Sequence, residues 1–131
     1  MFEFSRGAFF EGQLNYKIKD LHFTMHTYNA FHNMKCFEFD ITEEEMCKLG
    51  SILAPARKWA KDYDNYFCLD GYGWHITYCY NGIRIYTGGY EAYPDDFRTV
   101  IEKLQDYIES LCKKYAADTY LEKEADDRRR L

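Results

Sequence analysis

Apolar and polar residues alternate with period two through much of the chain, the signature of strands that bury one face. The clearest case is the run of Trp74, Ile76, Tyr78 and Tyr80, with His75, Thr77 and Cys79 between them. Asn81-Gly82 follows, the dipeptide favoured by a type I′ turn because both central residues need φ > 0. A two-residue loop sets the register of the second strand. Tyr80 is expected opposite Ile83, Tyr78 opposite Ile85 and Ile76 opposite Thr87, while Cys79 faces Arg84 and Thr77 faces Tyr86 on the other side.

Four further strands are expected upstream. Residues 2–10, FEFSRGAFF, read as an edge strand in which Gly7 marks a bulge or a turn. Leu14, Tyr16 and Ile18 alternate with Asn15, Lys17 and Lys19 in a second strand that ends near Asp20. The third spans Leu21–Tyr28, with Leu21, Phe23 and Met25 on one face and His22, Thr24 and His26 on the other. After a loop over 29–33, Met34–Asp40 forms the fourth, with Phe37 and Phe39 inward and Glu38 and Asp40 outward.

Two stretches change to helical period. Thr42-Glu43-Glu44-Glu45 is a capping box, and the helix behind it buries Met46, Leu49, Ile52 and Leu53 until Pro55 interrupts it. A second short helical piece is expected to carry Trp59 and Tyr63 at i and i+4 and to end at Asp62 or Tyr63. Residues 66–69 read as a short strand or extended lead into an Asp70-Gly71 turn. Beyond the hairpin, Pro94 is placed as the first residue of a long helix, with Asp95 and Asp96 in its first turn and Lys113 and Lys114 in its last. Phe97, Ile101, Leu104, Ile108, Leu111 and Tyr115 make one apolar stripe over about five to six turns. The predicted fold is α+β: a mainly antiparallel sheet of five to seven strands with two helices packed on one face. Residues 1–121 make one domain, and residues 122–131 are a charged tail expected to fray, since they offer little to bury.

The combination of Asp70-Gly71-x-x-Trp74 with Gly89-x-x-Ala92-Tyr93-Pro94-x-x-Phe97 resembles a pattern of small, largely uncharacterised bacterial and phage-type proteins, in which a DGxxW strand precedes a GxxAYPxxF helix start. The resemblance covers roughly the second half of the chain. It marks fold rather than chemistry, because each residue in it turns the backbone, packs or starts a helix. General likeness to such proteins implies a mobile-element inhibitor of the anti-CRISPR, anti-defence or toxin-immunity kind.

Composition narrows the function classes. Thirteen tyrosines and ten phenylalanines exceed what the core of a 131-residue domain needs, so some are expected on the surface, where tyrosine favours interfaces. A net charge of −5 argues against direct nucleic-acid binding and for a protein partner. The five cysteines, Cys36, Cys47, Cys68, Cys79 and Cys112, are scattered without a CxxC pair, which predicts reduced thiols in a cytoplasmic setting and neither a metal nor another cofactor. There is no apolar run of the roughly 18 residues that a membrane span needs, and no signal-peptide order at the start.

Candidate chemistry is sparse. His22 and His26, four residues apart on a strand, stand roughly 13 Å apart, too far to share one ion. Cys79 has Arg84 across the ladder, but His75 is equally distant along the strand, so no nucleophile and base pair forms. Gly88-Gly89 lacks the order of a phosphate loop. With no catalytic constellation, the leading reading is a small acidic protein-binding module. Its partner-binding residues are Glu38, Asp40, Glu43 and Glu44, an anionic patch suited to a basic surface such as the groove of a nuclease. Glu45 is reserved for the capping box. The alternative is a small-molecule or nucleotide-binding protein, or a small enzyme, with an aromatic-lined pocket beside His22, His26, Arg84 and Tyr86.

Overall fold

The computed structural model describes residues 1–8, 12–28, 33–64 and 72–129, with the side chains of 8, 28, 33–36 and 116–129 left aside. Residues 29–32 of the expected loop over 29–33, the segment 66–69, the Asp70-Gly71 turn and the side chains of Cys36 and Cys68 lie outside the described residues, and Asn33 opens a strand instead of closing that loop. The strands are β1 (Phe2–Ala8), β2 (Gly12–Lys19), β3 (His22–Tyr28), β4 (Asn33–Asp40), β5 (Asp62–Asp64), β6 (Gly73–Tyr80) and β7 (Ile83–Tyr90). Two helices, α1 (Glu43–Leu53) and α2 (Phe97–Arg129), complete the α+β fold, together with a 3₁₀ segment over Ala54–Lys58.

All seven strands form one sheet in the order β4-β3-β2-β1-β6-β7-β5, antiparallel except for the β5–β7 pair. The alternation of the sequence becomes continuous rows across it. Ile85, Tyr78, Phe2, Ile18, Phe23 and Phe39 lie side by side over six strands, and Thr87, Ile76, Phe4, Tyr16, Met25 and Phe37 form the next row. Both helices cover this face. Met46, Leu49 and Leu53 of α1 and Val100, Ile101, Leu104, Ile108 and Leu111 of α2 are buried in the same core. Tyr78 donates its hydroxyl to the Met46 carbonyl at 2.8 Å, and Phe39 stacks on Tyr115 of α2 with ring centres 5.2 Å apart.

The hairpin register follows its turn: Asn81 and Gly82 both have positive φ, and the pairs run from Tyr80 with Ile83 to Gly73 with Tyr90. The capping box is also present. Thr42 accepts from the Glu45 N–H at 3.1 Å, and the Glu45 carboxylate accepts from the Thr42 N–H at 2.9 Å.

Four local expectations are corrected. The first strand is central rather than an edge, since β6 pairs with its free side and leaves Phe2 and Phe4 wholly buried. Leu21 belongs to a two-residue turn with Asp20, both at positive φ, and its carbonyl accepts from the Ile41 N–H at 2.8 Å. No second helical piece carries Trp59 and Tyr63. The chain leaves the 3₁₀ segment extended at Trp59, and Thr87 Oγ1 and the Gly88 N–H bond the carbonyls of Ala60 and Lys61, drawing β5 alongside β7. Finally, α2 starts at Phe97, not Pro94. The Phe97 N–H closes a turn onto the Pro94 carbonyl, and the Asp96 carboxylate is taken by the Trp59 indole at 2.8 Å instead of capping the helix. At its other end the α2 backbone continues through Arg129.

Candidate functional site

Because both helices lie on one face, the polar rows of the sheet have no described element above them. Tyr86, Thr77, Glu3, Lys17, Thr24 and Glu38 form one such row, and Lys19, His22 and Asp40 another. Lys17, Lys19, Glu38, Asp40, Arg84 and Tyr86 are exposed, Tyr86 by 63%.

The sheet order separates the residues proposed for a pocket. His22 and His26 lie on β3 and Arg84 and Tyr86 on β7, with β2, β1 and β6 between them. Four strand spacings amount to about 19 Å, so these four side chains do not line one pocket. His75 spends Nε2 on the Thr77 hydroxyl at 2.7 Å and sets its ring edge-on to Tyr86, while Cys79 is an exposed free thiol across from Arg84. Among the described residues, no three His, Cys, Asp or Glu side chains converge in a way that could hold a metal ion, and no helix is long and apolar enough to cross a membrane.

Half of the acidic group is brought together by the β3–β4 ladder. His22 Nδ1 is 2.7 Å from Asp40 and its Nε2 is 3.5 Å from Glu38, so one imidazole bridges both carboxylates. Glu43 and Glu44 are exposed in the first turn of α1, three and four residues beyond the end of β4. That position favours carboxylates through the helix dipole.

Glu45 points the other way, into the junction of α1 with α2. Burial pushes its pKa up, but hydrogen bonds from the Tyr115 hydroxyl, the Thr42 N–H, Lys114 and the Thr42 hydroxyl outweigh that and hold the carboxyl down at about 2. The Tyr107 hydroxyl also donates to the Glu45 carbonyl at 3.2 Å. Tyr16, Tyr78 and Tyr107 are pushed up to about 12, chiefly by burial, and serve as neutral packing and hydrogen-bonding groups.

A cleft of about 560 Å³ opens where the start of α2 overhangs β1 and β6. Trp74, Tyr93 and Phe97 supply aromatic walls, and Arg6, Arg98 and Glu102 supply charge. The Trp74 indole donates to the Ala92 carbonyl at 3.0 Å and packs nearly parallel to Tyr93, with ring centres 6.4 Å apart. Glu91 holds the loop behind Tyr93. It adopts φ 50, donates its N–H to the Tyr72 carbonyl and accepts the Tyr72 N–H on its carboxylate.

The sequence pattern assigns no binding role to Arg6, Tyr93 or Arg98, and Tyr93 enters it only within the GxxAYPxxF helix start. A signal was nonetheless present: Arg6 occupies the position that alternation from Phe2 and Phe4 reserves for an apolar residue, and its ladder partners are Leu14 and Trp74. A cation on the covered face of a sheet, at its rim, has no folding role that the pattern explains. No protein-family model matches the chain, and no curated protein matches it significantly.

Proposed function

We propose that the chain is a small acidic protein-binding module that docks through the uncovered polar face of its sheet onto a basic surface of another protein. The observation that carries this reading is the one-sided packing, which leaves rows of polar side chains from six strands without a covering element among the described residues. A two-layer fold with an open face offers a broad docking area rather than an enclosed pocket. The net charge of −5 and the exposed Glu38, Asp40, Glu43 and Glu44 favour a cationic partner and steer its approach. Likeness to small phage-type proteins extends the proposal to an inhibitor or immunity factor of a mobile element.

The test compares the chain with its Glu38→Lys, Asp40→Lys, Glu43→Lys and Glu44→Lys quadruple variant. A partner captured by the native chain should cross-link to Lys17 or Lys19 on the open face. Its association with the variant should slow by about tenfold or more at low salt and less at physiological salt, while the melting temperature falls only by the several degrees that lost helix-dipole stabilisation at Glu43 and Glu44 accounts for. Unchanged association at both salts, or cross-links confined to α2, would refute the reading. Glu45 stays native throughout, because changing it would mix a folding effect with a binding effect.

A further inference from the structure

We infer that the cleft between the start of α2 and the rim of β1 and β6 is a binding site for a small planar aromatic ring that carries one anionic group, a carboxylate or a phosphate. The volume of about 560 Å³ lies within the range of roughly 300–1,000 Å³ of small-molecule pockets. Its walls suit a flat ring. Tyr93 is 43% exposed, and its ring and that of Phe97, 4.8 Å apart, continue the aromatic surface begun by the buried Trp74.

The charges in the cleft are not equivalent. Arg98 is paired with Glu102 at 3.0 Å, whereas Arg6 makes no hydrogen bond or ion pair with a described residue. Asp95 lies in the turn before α2, where the positive end of the helix dipole favours a carboxylate. Arg6 is therefore the cation left to a ligand, and its planar fork matches a carboxylate or phosphate with two parallel hydrogen bonds. The site is also pre-organised: the bond from Trp74 to Ala92 and the double clamp between Glu91 and Tyr72 fix the walls before anything binds. This inference does not rest on the docking face, which lies on the opposite side of the sheet.

The experiment titrates the chain with indole-3-acetate, with adenosine 5′-monophosphate and with their uncharged counterparts indole and adenosine, following the assigned Trp74 indole N–H resonance. At least one of the two anions should move that resonance at millimolar concentration and bind about tenfold or more tightly than its neutral counterpart. Which anion does so distinguishes the carboxylate from the phosphate. Arg6→Gln should abolish the preference for the anion while the ring still binds weakly, and Tyr93→Leu should weaken anionic and neutral rings alike. No movement with either anion, equal affinity for charged and uncharged rings, or native affinity in folded Arg6→Gln protein would overturn the inference.

Discussion

Replacing Glu45 by glutamine tests how the two helices are joined. Glutamine keeps the shape and can still accept the Thr42 N–H, since a capping box takes either residue, so the substitution isolates the charge. The carboxylate is 12% exposed and lies 3.0 Å from Lys114, besides accepting the Tyr115 hydroxyl. A carboxyl held at about 2 rather than 4.5 sets a ceiling of about 3 kcal/mol on the extra stability of the charged form at neutral pH. Lys114 is itself exposed and its attraction is screened by solvent, which reduces the expected loss to about 1–2 kcal/mol. For a domain of this size that is a fall in melting temperature of about 3–8 °C. The sign with pH follows from the lowered pKa. The stabilisation is complete above about pH 4.5, where the unfolded chain also ionises, and is lost as the pH falls toward about 2. The gap between the denaturation curves of native and Glu45→Gln protein should therefore narrow to about half or less between pH 7 and pH 3, with Tyr115→Phe showing a smaller gap at pH 7. A gap that stays constant through this range, or a variant as stable as the native chain at pH 7, would refute the reasoning.

Three further outcomes are open to the same assays. Gly50→Ala should destabilise the protein by about 1–3 kcal/mol although alanine is the better helix former, because the new methyl would lie 2.5 Å from the Tyr78 hydroxyl oxygen; a gain in melting temperature would show that the Tyr78 ring can move aside. Leu104→Ala, at a wholly buried position under the sheet, should cost about 2–5 kcal/mol by chemical denaturation. Tyr78→Phe should cost about 1 kcal/mol through the lost bond to the Met46 carbonyl, and an unchanged midpoint would argue that this bond adds nothing net.

By itself the sequence determined the local elements and their faces. Side chains alternate across a strand and repeat every 3.6 residues along a helix, so the rows through Phe23, Phe39, Ile76 and Tyr78 and the stripe from Ile101 to Leu111 are readable without a partner. Asn81-Gly82 and Thr42 to Glu45 are equally local, since a turn or a cap is completed within four residues. Neighbours across long separations were decided only by tertiary structure. Period two says which face a residue takes but not which strand lies beside it, and once β6 paired with β1, His22 and His26 were parted from Arg84 and Tyr86 by the width of the sheet. The same pairing turned the expected edge strand into the centre and set Arg6 against Trp74. Trp59 and Tyr63 had helical spacing, yet hydrogen bonds from Thr87 and Gly88 to Ala60 and Lys61 drew that segment into the sheet, since local propensity is weak beside tertiary bonds and burial. Glu45 shows both levels in one side chain: its cap was written in four consecutive residues, while Lys114 and Tyr115, about seventy residues away, came to it only when α2 packed against α1.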